Sequence, residues 1–381
     1  MSTTIHGQTA PGFDAVRDAF AANFETGLED GASVCVTVDG APVVDLWAGT
    51  RDAAGALPWE ADTLVNVYST TKTMSFLTIL LLADRGAFDL HDRVSKLWPE
   101  FAAEGKRDVT IAHLLSHSAG LSGIDRKVSP EDLYDHDKIC SLLAAQAPWW
   151  KPGTASGYHA ITQGYLLGEV VWRATGQSLG SLFRTEIAEP LGADFHIGTP
   201  AECDARIGDL IPPEENLGQA TGGEPGSIAA RTFANPATSA LQSREIAWRR
   251  AEIPAAGGHG NARSVARAQA LLACGGEVDG KRLMSEAGCR RALELQIEGT
   301  DLVLGTPTRF GMGYGLGGGM LPLPAGACYW GGWGGSLIIV DQDARTTYAY
   351  VMNRMVSTLM GDPRTLGLSV AVAGALAAQA A

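Results

Sequence analysis

The chain has 381 residues, 45% apolar and 19% charged, with 29 Lys and Arg against 42 Asp and Glu for a formal charge of −13. Such a length supplies a large core, organised as two lobes. The negative balance and the lack of any basic run argue against nucleic acid and anionic membrane as partners, since both reward clustered Lys and Arg. The opening Met1-Ser2-Thr3-Thr4-Ile5-His6 lacks the basic and apolar regions of a secretory signal, and no stretch reaches the ~20 apolar residues of a membrane span. The six cysteines (Cys35, Cys140, Cys203, Cys274, Cys289, Cys328) form no Cys-x-x-Cys, which predicts reduced, mostly buried thiols in a cytoplasmic protein.

Phe13, Val16, Phe20 and Phe24 recur at helical spacing and predict an amphipathic helix over 13–29. The β-rich runs 33–38 and 42–47 flank Asp39-Gly40, a strong hairpin signal. The apolar run 76–83 predicts a buried helix stopped by Gly86, with Ser69 at its first turn and Lys72 one turn later on the same face. From 76 to 300 the pattern is mostly helical, with helices over 110–116, 132–145, 161–175, 179–187 and 262–272 and a glycine-rich polar loop over 216–226. After 305 strands return, and 336–340 and 346–351 form a second hairpin. The small, apolar tail 366–380 reads as a packed terminal helix. Strands at both ends of a helical middle predict an α/β (α+β) fold: one antiparallel sheet built from 1–75 and 301–381 and flanked by helices, plus a mostly helical domain over 76–300.

Ser69-Thr70-Thr71-Lys72 is the only Ser-x-x-Lys in the chain. A hydroxyl at a helix N-terminus, backed by an amine within reach, is the layout of an acylating serine. The bland alternative, a serine N-cap beside a solvated lysine, fits poorly with the apolar run that follows. Tyr158, after Lys151-Pro152-Gly153, stands where a loop turns into a helix. It is either a tyrosine packed under that loop or a phenol sharing a proton with Ser69 and Lys72. The four glycines of Trp330-Gly331-Gly332-Trp333-Gly334-Gly335-Ser336 suggest backbone approached closely by a bound group, or an irregular strand edge.

Two further patterns weigh less. His113 and His117 have a spacing that can hold zinc, but no glutamate completes His-Glu-x-x-His, so helix-end hydrogen bonding is the better account and no metal is expected. Gly176-Gln177-Ser178-Leu179-Gly180 matches the Gly-x-Ser-x-Gly elbow, yet a helical segment precedes it. Gly176 therefore reads as a helix C-cap and Ser178 as the start of the next helix.

Taken together, several stretches resemble the serine β-lactamase/penicillin-binding-protein superfamily, with the nearest likeness to family VIII carboxylesterases and class C β-lactamases. They are Ser69-Thr70-Thr71-Lys72, the run 113–121, Pro152-Gly153 through Tyr158, the run 258–264, Trp330-Gly331-Gly332 and the run 350–354, in the family's order. The resemblance implies a site between sheet and helical domain, with Ser69 as nucleophile, Lys72 as base and Tyr158 as second proton carrier. It implies an oxyanion hole of the Ser69 and Trp333 backbone N–H groups, and substrate contacts from Trp330, Gly331, Gly332 and His159. Two departures redirect the substrate. The family's Tyr-x-Asn is Tyr158-His159-Ala160, and Trp330 stands where the lysine of Lys-Thr-Gly would hold a carboxylate. Both point from anionic amides toward small neutral esters, cleaved without a cofactor. The alternatives are a β-lactamase or D-amino-acid peptidase using the same residues, and a non-catalytic scaffold. Trp149, Trp150, Trp330 and Trp333 are candidate walls of an apolar pocket. A homo-oligomer is compatible with the sequence.

Overall fold

A computed structural model describes residues 3–213, 224–357 and 362–379. Its frame is a nine-stranded antiparallel sheet. In spatial order the strands are Ile5–Thr9, Ala41–Gly49, Gly31–Val38, Thr346–Met352, Leu337–Asp341, Ala327–Gly331, Gly315–Leu316, Pro307–Phe310 and Ile297–Thr300. The two chain ends meet at its centre, where Gly31–Val38 pairs with Thr346–Met352 and Cys35 lies opposite Ala349. The first hairpin closes through Asp39 (φ 50°) and Gly40 (φ 79°), the left-handed pair whose twist matches its strands.

Alternation along Thr346–Met352 assigns the layers. The Thr347 hydroxyl lies 2.7 Å from Thr37 Oγ1 and donates to the Ala266 carbonyl, toward helix Ala262–Ala273. The next residue, Tyr348, reaches the Thr365 carbonyl of helix Pro363–Gln379 on the other face. Helix Asp14–Glu25 packs beside that terminal helix. All seven residues of Thr346–Met352 are buried, as expected of a β-branched and aromatic strand covered on both faces.

Several boundaries differ from the sequence pattern, each for a local reason. The first helix ends at Glu25 because Gly27 takes a left-handed φ of 73°. The segment 132–145 divides at Asp135, which is extended and caps helix His136–Ala145 by accepting from the Lys138 N–H. Leu179–Phe183 runs through a widened turn, Arg184–Ala188, before Gly192 ends it. Strand Ile297–Thr300 begins before 305. Three of its four residues are exposed, so it offers no apolar alternation to read. This strand, and helix Ala262–Ala273, lie within the helical middle of the sequence but join the sheet. Most of the expected loop 216–226 falls outside the described residues. Among the described residues, no helix is long and apolar enough to cross a membrane, and all six cysteines are buried and unpaired.

One buried cation ties the ends of the chain together. The Arg364 guanidinium is fully buried and donates to Asp362 at 2.6 Å and Glu29 at 3.2 Å. It also donates to the carbonyls of Arg354 (2.8 Å) and Gly334 (3.0 Å). Replacing Arg364 by Met leaves the buried Asp362 carboxylate unpaired near Glu29, whose pKa burial already pushes up to about 8, and breaking such a cluster from one side typically costs about 3–5 kcal/mol. Urea unfolding of Arg364→Met should show a loss of that size with an unchanged slope. A loss within about 0.5 kcal/mol, the range of ordinary surface changes, would mean that the cluster contributes little.

Candidate active site

Strand Val65–Asn66 leads into a tight turn, Tyr68–Thr70, that opens helix Thr71–Asp84. Ser69 thus lies in the turn just before the helix proper. Tyr68, immediately before it, has φ 43°, a left-handed conformation that costs a non-glycine residue about 1–3 kcal/mol. Packing holds it there: its ring lies 5.0 Å from that of Trp333 and 6.1 Å from that of Trp248.

Every helix residue from Thr71 to Leu82 is buried, so the helix carries Lys72 into the interior. The Lys72 Nζ lies 3.0 Å from Ser69 Oγ and donates to the carbonyls of Ala160 (2.7 Å) and Ala255 (2.9 Å). Burial pushes its pKa well below the ordinary lysine value. The segment 254–258 that supplies one carbonyl is stitched to the serine helix. Ser75 donates to the Pro254 carbonyl, Asn66 donates to those of Ala256 and Gly258, and the Gly258 N–H donates to Thr71.

The Tyr158 hydroxyl donates to Ser69 Oγ at 2.5 Å from the opposite side. Burial raises its pKa, with the Ser69 hydrogen bond opposing and the Asp301 charge adding. Asp301 went unnoticed in the sequence, although its carboxylate fixes the tyrosine's backbone. Its Oδ1 accepts the N–H groups of Tyr158 (3.0 Å), Val303 and Leu304 (both 2.9 Å). Its bonds to Val303 and Leu304 are those of any turn aspartate, and nothing local points to Tyr158, 143 residues away.

His159, expected against substrate, is instead fully buried, and its ring serves the fold. Its Nδ1 donates to the Gly157 carbonyl at 2.6 Å and its Nε2 accepts the Leu121 N–H at 3.1 Å. Burial depresses its pKa to about 3, so it is neutral at ordinary pH. His117 accepts the His159 N–H at Nδ1 and stacks on Trp330, with ring centres 5.4 Å apart. These two histidines brace the tyrosine turn against the sheet. His113 caps its own helix by accepting the Thr110 N–H. Ser178 caps helix Leu179–Phe183 and donates to Glu252 at 2.6 Å.

The glycine run lies against the serine turn. A Cβ on Gly332 would stand 2.2 Å from the Val67 carbonyl oxygen and 2.4 Å from Ser336 Oγ, so only glycine allows this approach. The Ser336 hydroxyl bridges to the Val67 carbonyl (3.0 Å) and Thr70 Oγ1 (2.9 Å). The Gly332 N–H is held by the Ser336 carbonyl at 2.8 Å, and Trp333 is the next backbone unit. Beside Tyr158 a mainly apolar pocket is lined by Leu304, Phe310, Met320, Tyr329, Trp330 and Gly331. Trp149 and Trp150 do not line it: their indole N–H groups donate to Asp125 and to the Ala155 carbonyl.

The arrangement places one hydroxyl between a desolvated amine and a phenol, with an apolar recess alongside. Comparison with known proteins places the chain in a family. The beta-lactamase family model matches residues 20–371. The chain is 36% identical over 376 residues to "Esterase/beta-lactamase LipL" of Mycobacterium tuberculosis (strain ATCC 25618 / H37Rv), covering 93% of this chain and 84% of that one. A solved family VIII carboxylesterase is 43% identical with a TM-score of 0.92, over 98% of this chain and 100% of the other. A penicillin-binding protein homologue from Caulobacter crescentus is 38% identical with a TM-score of 0.93, at the same coverage. A match of this extent, on a chain whose serine, lysine and tyrosine converge, has one reading: the protein belongs to the beta-lactamase family.

Proposed function

We propose that the protein is a serine hydrolase that cleaves short-chain carboxylic esters through an acyl-enzyme on Ser69. The observation that carries this reading is the opposed tuning of the two groups bonded to one hydroxyl. Burial favours neutral Lys72 on one side and protonated Tyr158 on the other. Groups whose environments push their pKa values apart are the usual mark of an acid–base pair.

Hydrogen-bond counting supports the direction of proton flow. A neutral amine has two N–H groups and one lone pair. The carbonyls of Ala160 and Ala255 engage both N–H groups, which leaves the lone pair directed at the Ser69 hydroxyl. In the first step the Ser69 oxygen attacks the ester carbonyl while its proton passes to Lys72. The backbone N–H groups of Ser69 and Trp333 receive the oxyanion, each such donor being worth about 2.7–4 kcal/mol. The tetrahedral adduct then expels the alcohol, which takes a proton through Tyr158. Water adds to the acyl-enzyme in the second step, losing its proton to the same pair, and Ser69 leaves re-protonated.

Substrate class follows from the recess. Its lining residues carry no charge, and by the family resemblance Trp330 stands where a lysine would hold a carboxylate. A small neutral acyl or alcohol group suits it. The relatives named as esterases support this reading, and the name of LipL favours a β-lactamase side activity as the second one. The six unpaired, buried cysteines support a reducing, cytoplasmic setting.

Ser69→Ala should lower hydrolysis of p-nitrophenyl butyrate by ~10⁶-fold, the size seen when the nucleophile is removed from such a unit. Ser178→Ala should retain the rate, and the opposite pattern would transfer the role to Ser178. A chromogenic cephalosporin should turn over far more slowly than the ester; comparable rates would promote the β-lactamase reading.

The pH profile separates the two proton carriers. Neutral Lys72 is the active form, so kcat/KM should fall as pH drops through its lowered pKa and stay flat above it. Tyr158→Phe should slow the reaction without moving this acid limb. A limb centred near the ordinary lysine value of about 10.4 would mean that burial does not hold Lys72 neutral at ordinary pH.

A further inference from the structure

We propose that His136, Cys140 and Glu169 form a binding site for a borderline-soft divalent cation of the zinc type. The site is independent of the ester chemistry. His136 and Cys140 are one turn apart on helix His136–Ala145, and Glu169 projects from the neighbouring helix Thr162–Thr175. Imidazole, thiolate and carboxylate are the donors that Zn²⁺ takes, and spacing of four along a helix puts two of them on one face.

The distances suit a shared ion as well as hydrogen bonding, in which Cys140 Sγ also donates to the Tyr165 carbonyl at 3.5 Å. Cys140 Sγ lies 3.3 Å from His136 Nε2, which in turn lies 3.3 Å from Glu169 Oε2. The three ligand atoms all fall within 4.8 Å of one another. Around a tetrahedral zinc with Zn–S of ~2.3 Å and Zn–N or Zn–O of ~2.0–2.1 Å, neighbouring donors stand ~3.3–3.6 Å apart. One imidazole nitrogen faces both the thiol and the carboxylate. An ion at the centre of the triangle serves all three.

The surroundings are those of a held ligand set. The other carboxylate oxygen of Glu169 accepts from Arg173 at 2.7 Å, which orients the group and leaves Oε2 for the ion. Arg173 is itself offset by Glu100 at 3.3 Å. Gly168 lets the imidazole lie against the second helix, since a Cβ there would come 2.9 Å from His136 Cε1. Cys140 and Glu169 face a cleft also lined by Glu100 and Asp137, so the local charge attracts a cation and a water can complete the tetrahedron. Binding converts the Cys140 thiol to thiolate and releases one proton. The ion would clamp together two helices, the second of which starts four residues after Tyr158.

The test is equilibrium dialysis of the full chain against Zn²⁺, paired with Co²⁺ absorption as a report of thiolate ligation. The expected result is a single equivalent of Zn²⁺, a near-ultraviolet thiolate-to-cobalt band, and a melting temperature that rises with Zn²⁺. Cys140→Ser should abolish the band. His136→Gln, at a partly exposed position that folding tolerates, should lower Zn²⁺ affinity by more than the ~10–100-fold that losing an outer hydrogen-bond partner typically costs. Ester hydrolysis by His136→Gln serves as the check on folding. Stoichiometric Zn²⁺ bound equally by wild type and His136→Gln, or a cobalt complex without the thiolate band, would overturn the proposal.

Discussion

The desolvation of Lys72 is the constraint on which the rest of the site depends. An amine buried this completely, with two carbonyls and a hydroxyl as its polar neighbours, has no carboxylate to compensate a positive charge. Leaving it charged would cost several kcal/mol, so the interior favours the neutral form. The apolar helix Thr71–Asp84 therefore sets the state of this amine as well as filling the core. Its uniform burial removes water from the amine, and its first turn presents Ser69 to that amine.

Holding this arrangement requires parts of the chain that are far apart in sequence. The carbonyls on Lys72 come from Ala160 and Ala255, the phenol from Tyr158, and the backbone behind Tyr158 is fixed by Asp301. On the sheet side, Gly332 and Ser336 seat the end of strand Ala327–Gly331 on the serine turn. Arg364 anchors Gly334 a little further along, so the buried charge cluster at the sheet's end also steadies the glycine run. Left-handed Tyr68 is tolerated because Trp248 and Trp333 enclose its ring. Strain beside the reactive hydroxyl is thus balanced by packing elsewhere.

The same economy shapes the pocket. Trp330 contributes a wall and, through its stack on His117, braces the turn that carries Tyr158. An indole in this position adds apolar surface to the pocket and carries no charge that could hold a carboxylate. An ester tolerates the lack of such a hold better than an amide does, because alkoxide leaves more readily than amide nitrogen. Both histidines near the tyrosine are neutral and engaged in the fold, which leaves Lys72 and Tyr158 as the groups able to exchange protons with Ser69.

Much of this was legible in the chain itself. The Asp39-Gly40 hairpin, the buried helix after Ser69, the C-cap at Gly176 and the strands at both ends are written in short-range patterns, because turns and amphipathic periods depend on neighbours in sequence. The Ser69–Lys72 pair was equally local, since three residues along a helical turn fix which face both occupy. The roles of His159, His117 and Asp301 were not legible. A histidine beside a tyrosine in a loop gives no sign of whether its ring meets substrate or a carbonyl, and the Asp301 partner lies on another segment altogether. The edge strand Ile297–Thr300 escaped for a related reason, as exposed residues carry no hydrophobic register. By itself the sequence determined that Ser69 and Lys72 share one face of a helical turn and on which local elements the candidate groups stand. Only the tertiary structure decided that Lys72 is dry, that Tyr158 meets Ser69 from the far side, and that His159 serves the fold. Desolvation and convergence belong to contacts between distant segments, and no local pattern encodes them.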